Sequence, residues 1–270
     1  MSKELTTKLS AEQMEMLENS YPVESTFNRI LLPRLGMVSQ DVTEGKGKAM
    51  KVVTEAGTFF TELQTDEIDE DTGKKVWTKT ELGTEIEGII LYERKQLRFY
   101  DSANENYTSS PIYDSEDQVV LLFCDKQEVA RGTPAELKAL PQFQGLTAKG
   151  KATSKLEENR ILYVLMDEVV YQMTLRGSSM YSFLNYKKEV KPNTVVTKMG
   201  SEAKENGAIA WNQMTFEAVR AIASKEFDVV MGHITEITNA VKMEQAFYNK
   251  KDSEVVKGDD DFKKLDSGKM

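Results

Sequence analysis

One stretch constrains the fold of this chain more than any other, the run from Asn159 to Arg220. Asn159 to Met166 and Val169 to Leu175 are apolar, β-branched or aromatic and read as two strands. Arg176 to Leu184 then reads as a short helix. After Pro192, Thr194 to Met199 and Ala208 to Val219 read as two more strands. Strand, strand, helix, strand, strand is the order found in the second half of a small OB-type barrel. Alternation assigns faces within it. Tyr171, Met173 and Leu175 share one face, with Gln172 and Thr174 opposite. Trp211 shares its face with the polar Gln213 and Thr215, which predicts an accessible indole.

Flanking signals extend this frame. Ser10 and Gln13 have the spacing of a capping box, opening a helix that Pro22 ends. Arg29 to Val38 reads as a strand that Pro33 places at an edge or bulge. Thr58 to Leu63, Lys75 to Thr78, the long segment Ile86 to Tyr100 and Val119 to Cys124 read as further strands. Asp69 to Gly73 supplies a turn, and Asp101 to Glu116 reads as a loop. Thr133 and Pro134 open a helix that stops near Pro141. Gly145 to Glu158 is polar, carries Lys149, Lys151 and Lys155, and reads as a flexible connection. Phe227, Val230, Met231, Ile234, Ile237 and Val241 recur at helical spacing behind the Ser224 cap. The expected fold is therefore mainly β within the α+β class. It comprises a lead-in helix over 1–28, an OB-like barrel over 29–249 with an elaborated N-terminal β region and a long C-terminal helix, and a disordered tail over 250–270.

Chemistry is scarce. One His and one Cys cannot supply a zinc site of nitrogen and sulfur ligands, and a lone Cys124 excludes an internal disulfide framework. Asp66 to Gly73 is acidic but lacks the ligand spacing of a calcium loop. Gly45-Lys46-Gly47-Lys48 lacks the spacing of a phosphate-binding P-loop, and no G-x-S-x-G elbow occurs. His233 falls inside a helical pattern. The expectation is a non-enzymatic protein with no metal and no cofactor. No apolar run spans a membrane and Met1 to Leu9 does not read as a signal peptide, so a cytoplasmic location is expected.

The net charge of -9 is unevenly spread. Between Thr147 and Lys204, Lys and Arg outnumber Asp and Glu by about four. Basic residues interleaved with aromatics on a sheet are what a single-stranded nucleic acid platform needs. The candidate contacts are Arg94, Lys95, Arg98, Lys149, Lys151, Arg160, Arg176, Lys187, Lys188, Lys191 and Lys198 for phosphates. Tyr171, Tyr181, Tyr186 and Trp211 are the candidates for stacking.

Ile30 to Leu35 followed by Gly45 to Lys48, and Leu175 to Ser179 followed by Trp211 to Phe216, resemble segments of the single-stranded-DNA-binding proteins of tailed bacteriophages. The resemblance implies an OB fold that coats exposed strands during replication or recombination, in the cytoplasm of a host cell. It also implies a tail, here Asp259-Asp260-Asp261-Phe262, that recruits replication or recombination partners. Self-association is compatible with it. A phage structural or assembly protein and a metal-dependent nuclease are the rival readings.

Overall fold

The computed structural model describes residues 10–20, 32–44, 51–68, 73, 75–125, 127–147, 149–207 and 209–240. In chain order these form α1 (Ala11–Ser20), β1 (Arg34–Met37), β2 (Val42–Glu44), β3 (Lys51–Thr54), β4 (Phe59–Ile68) and β5 (Lys75–Gly83). There follow β6 (Ile86–Asp101), β7 (Asn106–Ser109), β8 (Val120–Cys124), β9 (Gln127–Gly132) and α2 (Pro134–Ala139). Next come β10 (Gln144–Leu146), β11 (Ala152–Ser154), β12 (Glu157–Met166), β13 (Val169–Leu175), α3 (Gly177–Glu189), β14 (Val195–Asn206) and β15 (Ile209–Ala221). A last helix, α4, runs through 224–240. The tail at 250–270, the Gly45 to Lys48 loop and Asp69 to Thr72 lie outside the described residues.

Local chemistry accounts for many of these boundaries. The Gln13 amide donates to Ser10 Oγ at 3.1 Å and the Ser10 amide to Gln13 Oε1 at 3.0 Å, which opens α1. Thr133 and Glu136 make the same reciprocal pair at the start of α2. The β12–β13 hairpin turns on two residues, Asp167 and Glu168, at φ 47° and 64°. Positive φ at both central positions suits the right-handed twist of the flanking strands, even without the usual glycine.

The expected barrel does not form, which corrects the fold reading. The main sheet runs β5-β4-β1-β13-β12-β6-β7-β8-β9 and stays open, because β5 and β9 at its two ends do not pair with each other. Three pairings account for the difference. β1 runs parallel to β13, so the N-terminal region extends the sheet instead of sitting outside it. Pro33 precedes the first residue of this interior strand and its carbonyl accepts from the Gln172 amide at 2.8 Å, so the missing N–H costs no ladder bond. β14 joins β6 over only Thr197 to Met199, and β14–β15 then leave as a two-stranded ribbon. The architecture is α+β with an open mixed sheet.

Helices cover the sheet on both faces. Leu17 of α1 and Phe227, Val230, Ile234 and Ile237 of α4 pack on Ile89, Leu91, Ile161, Tyr163 and Leu165. On the other face Phe183 and Tyr186 of α3, with Met199 and Met214 of the ribbon, pack on Ile90, Leu162, Val164, Met173 and Leu175. β6 and β12 are thus buried on both sides through their middle, and their sequences read as near-continuous apolar runs there. Gly88 lies where β6 passes from β14 to β12. A Cβ on it would come within 2.8 to 2.9 Å of Met166, Leu165 and Val164, so the crossing requires glycine. Beyond this point β6 enters a smaller lobe, where Leu97, Tyr113, Leu122, Leu137, Phe143 and Leu156 form a third core.

Charged groups join the lobes. Arg94 on β6, with none of its side chain exposed, grips Asp114 through Nε at 3.0 Å and Nη2 at 3.1 Å. Nη2 also donates to the Ile112 carbonyl at 3.2 Å. Glu158 receives Lys138 at 3.0 Å, Arg160 at 2.8 Å and the Tyr113 hydroxyl at 3.0 Å. Burial raises the proton affinity of Glu158, but Lys138, Arg160 and Tyr113 outweigh it and hold the carboxyl below its ordinary 4.5. Arg220 likewise holds Glu226 down. A folded-state value below the unfolded one contributes stability that is complete above the unfolded value and lost as pH falls through the folded one. Urea stability is therefore expected to fall as pH drops below about 4.5, with Glu158→Gln lowering it at neutral pH and flattening the slope. An unchanged acid slope in that variant would remove Glu158 from the linkage.

Candidate functional site

The distal half of β6 alternates between two environments. Leu97 and Phe99 turn into the third core, while Arg98 and Tyr100 turn away from it. Tyr100 is paired with Tyr107 on β7, and Arg98 lies opposite Glu157 on β12. Asn159, two residues along β12, is opposite Gln96 and so shares the face of Glu157. Arg176 follows β13 one step beyond the last ladder pair, Arg160 with Leu175, which sets it level with Asn159. Register alone therefore brings Arg98, Tyr100, Tyr107, Glu157, Asn159 and Arg176 to one face of the sheet.

A small hairpin walls this face. β10 and β11 pair Gly145 with Thr153 and Leu146 with Ala152, and the Lys155 amide donates to the Phe143 carbonyl at 2.6 Å. The Lys155 stem lies along Gly145, where an added Cβ would meet its Cε at 3.0 Å. Between hairpin and sheet lies an open cleft of about 560 Å³, bordered by Arg98, Tyr100, Tyr107, Lys155, Asn159 and Arg176. The segment expected to be a flexible connection is thus a structural wall.

The cleft is electropositive and aromatic. The Arg98 guanidinium stands 4.1 Å from the Tyr107 ring centroid, and the Tyr107 and Tyr100 rings are 4.6 Å apart at 37°. This contact holds the guanidinium in place without using its N–H donors. Burial first, and then the positive charge of Arg98, push the Arg176 guanidinium below its ordinary value. Tyr107 and Glu157, which also border the cleft, act on Arg176 in the opposite sense. Neither Arg98 nor Arg176 makes an ion pair with a carboxylate among the described residues. Asn159 is 2 % exposed, and its Nδ2 is buried without a hydrogen-bond partner. A second cleft of about 400 Å³ beside α4 differs, because its Arg220 is already bound by Glu226 at 2.7 Å through both Nη1 and Nη2.

Of the residues singled out from sequence, Arg98 and Arg176 meet here. Arg94 is enclosed in its pair with Asp114. Lys95 pairs with Glu116 at 2.6 Å, Lys198 with Glu85 at 2.8 Å, and Arg160 bridges Glu93 and Glu158. Lys187 also reaches Glu93, and Lys188 donates to Asn185 Oδ1 at 3.0 Å. Lys149, Lys151 and Lys191 are exposed, the first two in the turn of the β10–β11 hairpin. Tyr171 packs half-buried on the second core, and buried Tyr186 shares a hydrogen bond of 2.7 Å with Thr197. Tyr181 is 64 % exposed on α3, away from the residues that border the cleft. Trp211 is half-buried, its Nε1 donating to Ser178 Oγ at 3.0 Å, so the indole ties the ribbon to α3. Tyr100, Tyr107 and Asn159 were not anticipated. Tyr100 could have been found by counting two residues on from Arg98, but nothing in the sequence announces Tyr107 across a four-residue turn.

Among the described residues no group of three or more His, Cys, Asp or Glu side chains is placed to hold a metal ion. None of the described helices is long and apolar enough to cross a membrane. Set against protein-family models, curated proteins and solved structures, the chain matches none. With the sheet open and five of the eleven expected phosphate contacts, Arg94, Lys95, Arg160, Lys187 and Lys198, spent on carboxylates, the resemblance to phage single-stranded-DNA-binding proteins is overturned. The OB fold and the strand-coating function in replication and recombination that it implied fall with it.

Proposed function

We propose that the protein is a non-catalytic binding module that takes a small anionic ligand in the cleft between β6–β7 and β10–β11. The observation that carries this reading is that Arg98 and Arg176 border one cleft with no ion pair to a carboxylate among the described residues. Like charges gathered at the rim of a low-dielectric sheet repel, and an anion between them relieves that cost. Guanidinium groups present several N–H donors in a fixed fork, which suits oxyanions. Binding is favoured over catalysis by the same residues. Arginine keeps its proton throughout the working range and so cannot shuttle one, whereas acid–base chemistry needs groups that titrate near neutrality.

The test is thermal melting of the full chain in phosphate, sulfate or citrate, against chloride at matched ionic strength. An anion present at about 100 times its Kd stabilises the folded state by about 2.7 kcal/mol, which raises the melting temperature by several degrees. The expected result is such a rise in the wild type and its loss in the double variant Arg98→Ala, Arg176→Ala. Both residues border an open cleft, so the variant should fold. A rise that persists in the double variant, or no rise in the wild type, overturns the reading.

A further inference from the structure

We infer that the ligand of this cleft is a dianionic phosphomonoester carried on a flat ring, with the phosphate held by Arg98 and Arg176 and the ring laid against the outer face of Tyr100. This rests on the anion-binding reading above and specifies its ligand.

Charge selects the head group. The cleft is bordered by three cations, Arg98, Lys155 and Arg176, and one anion, Glu157, for a net charge of +2. A carboxylate or a sulfate ester brings one negative charge and leaves an excess. A phosphomonoester brings about -1.5 to -2 at neutral pH, together with three acceptor oxygens. Two guanidiniums can share those oxygens in the way that neither could share a single carboxylate.

The aromatic pair selects what the phosphate is attached to. Tyr100 and Tyr107 are 48 % and 49 % exposed and border the cleft. Their rings lie against each other, 4.6 Å apart, with Arg98 over Tyr107, so the outer face of Tyr100 is the apolar surface left for a ligand ring. A cleft of about 560 Å³ also exceeds what a bare ion needs and lies within the range for a whole small ligand.

Calorimetric titration of the full chain with phenyl phosphate, phenyl sulfate and glycerol 3-phosphate separates the parts. Phenyl phosphate is expected to bind, with phenyl sulfate, which keeps the ring and loses a charge, at least about tenfold weaker. Glycerol 3-phosphate keeps the dianion and loses the ring, and should also be at least about tenfold weaker. Lowering the pH from about 7.5 to about 5 crosses the second phosphate ionisation near 6, so phenyl phosphate should weaken while phenyl sulfate does not. Tyr100→Ala removes an exposed ring and should weaken phenyl phosphate without changing glycerol 3-phosphate. If phenyl sulfate or glycerol 3-phosphate equals phenyl phosphate, this inference fails and the anion site stands. If none of the three binds, and the anions of the melting experiment have no effect either, both fail.

Discussion

Arg94→Ala is expected to lower the folding stability by about 3–5 kcal/mol, a large fraction of what a domain possesses. The guanidinium is enclosed, and Asp114 holds it through two bonds of 3.0 and 3.1 Å. Truncating Arg94 takes the guanidinium away from the Asp114 carboxylate, itself 6 % exposed, and so breaks a buried ion pair from one side. It also frees the Ile112 carbonyl that Nη2 satisfies at 3.2 Å. The double change Arg94→Met, Asp114→Leu removes both charges and should recover most of the loss, because buried pairs rarely exceed a well-packed apolar replacement. Urea midpoints at constant m-value measure both. A loss under about 1 kcal/mol for Arg94→Ala would mean that the side chain is accessible, and would return it to the set of surface cations.

Phe183→Ala is expected to cost about 3–5 kcal/mol, through lost burial and the cavity left behind. Phe183 has no exposed surface and meets the Phe216 ring edge-on at 5.4 Å, so it joins α3 to the β14–β15 ribbon. Tyr186 meets the same Phe216 ring at 6.0 Å. The ribbon pairs with the main sheet over only three residues of β14, so this aromatic contact is a large share of what anchors it. Hydrogen exchange should therefore accelerate most along β14 and β15. Tyr181→Ala, on the same helix but 64 % exposed, should change stability by less than about 0.5 kcal/mol. Equal effects of the two variants would place the exposed face of α3 wrongly.

The same helix shows how far residues reveal their own roles. Spacing of the apolar groups and the Ser-x-x-Gln and Thr-Pro signals located α1, α2, α3, α4 and most of the longer strands, because local periodicity and capping depend on neighbours within a turn. Trp211 marks the limit of that reasoning. Its polar strand neighbours suggested a partly exposed ring open to stacking, and α3 supplies hydroxyl partners from far along the chain, Ser178 to the indole and Ser179 to the Met214 amide at 2.9 Å. The basic residues show it again. Charge along the chain identified Arg94, Arg98, Arg160, Arg176 and Lys187 alike, yet of these five Arg94, Arg160 and Lys187 pair with carboxylates, since the positions of Asp114, Glu93 and Glu158 are settled by the tertiary fold.

By itself, then, the sequence determined where most of the helices and longer strands run and that a single cysteine excludes an internal disulfide framework. Those properties follow from composition and from periods of 2 and 3.6 residues, and each is local. Tertiary structure alone decided that β1 lies parallel to β13, that the sheet stays open, and that the β10–β11 hairpin stands over Arg98, Tyr100, Asn159 and Arg176. An alternating strand states which face it must bury but not which strand it must join, and that choice rests on the fit of all the elements together.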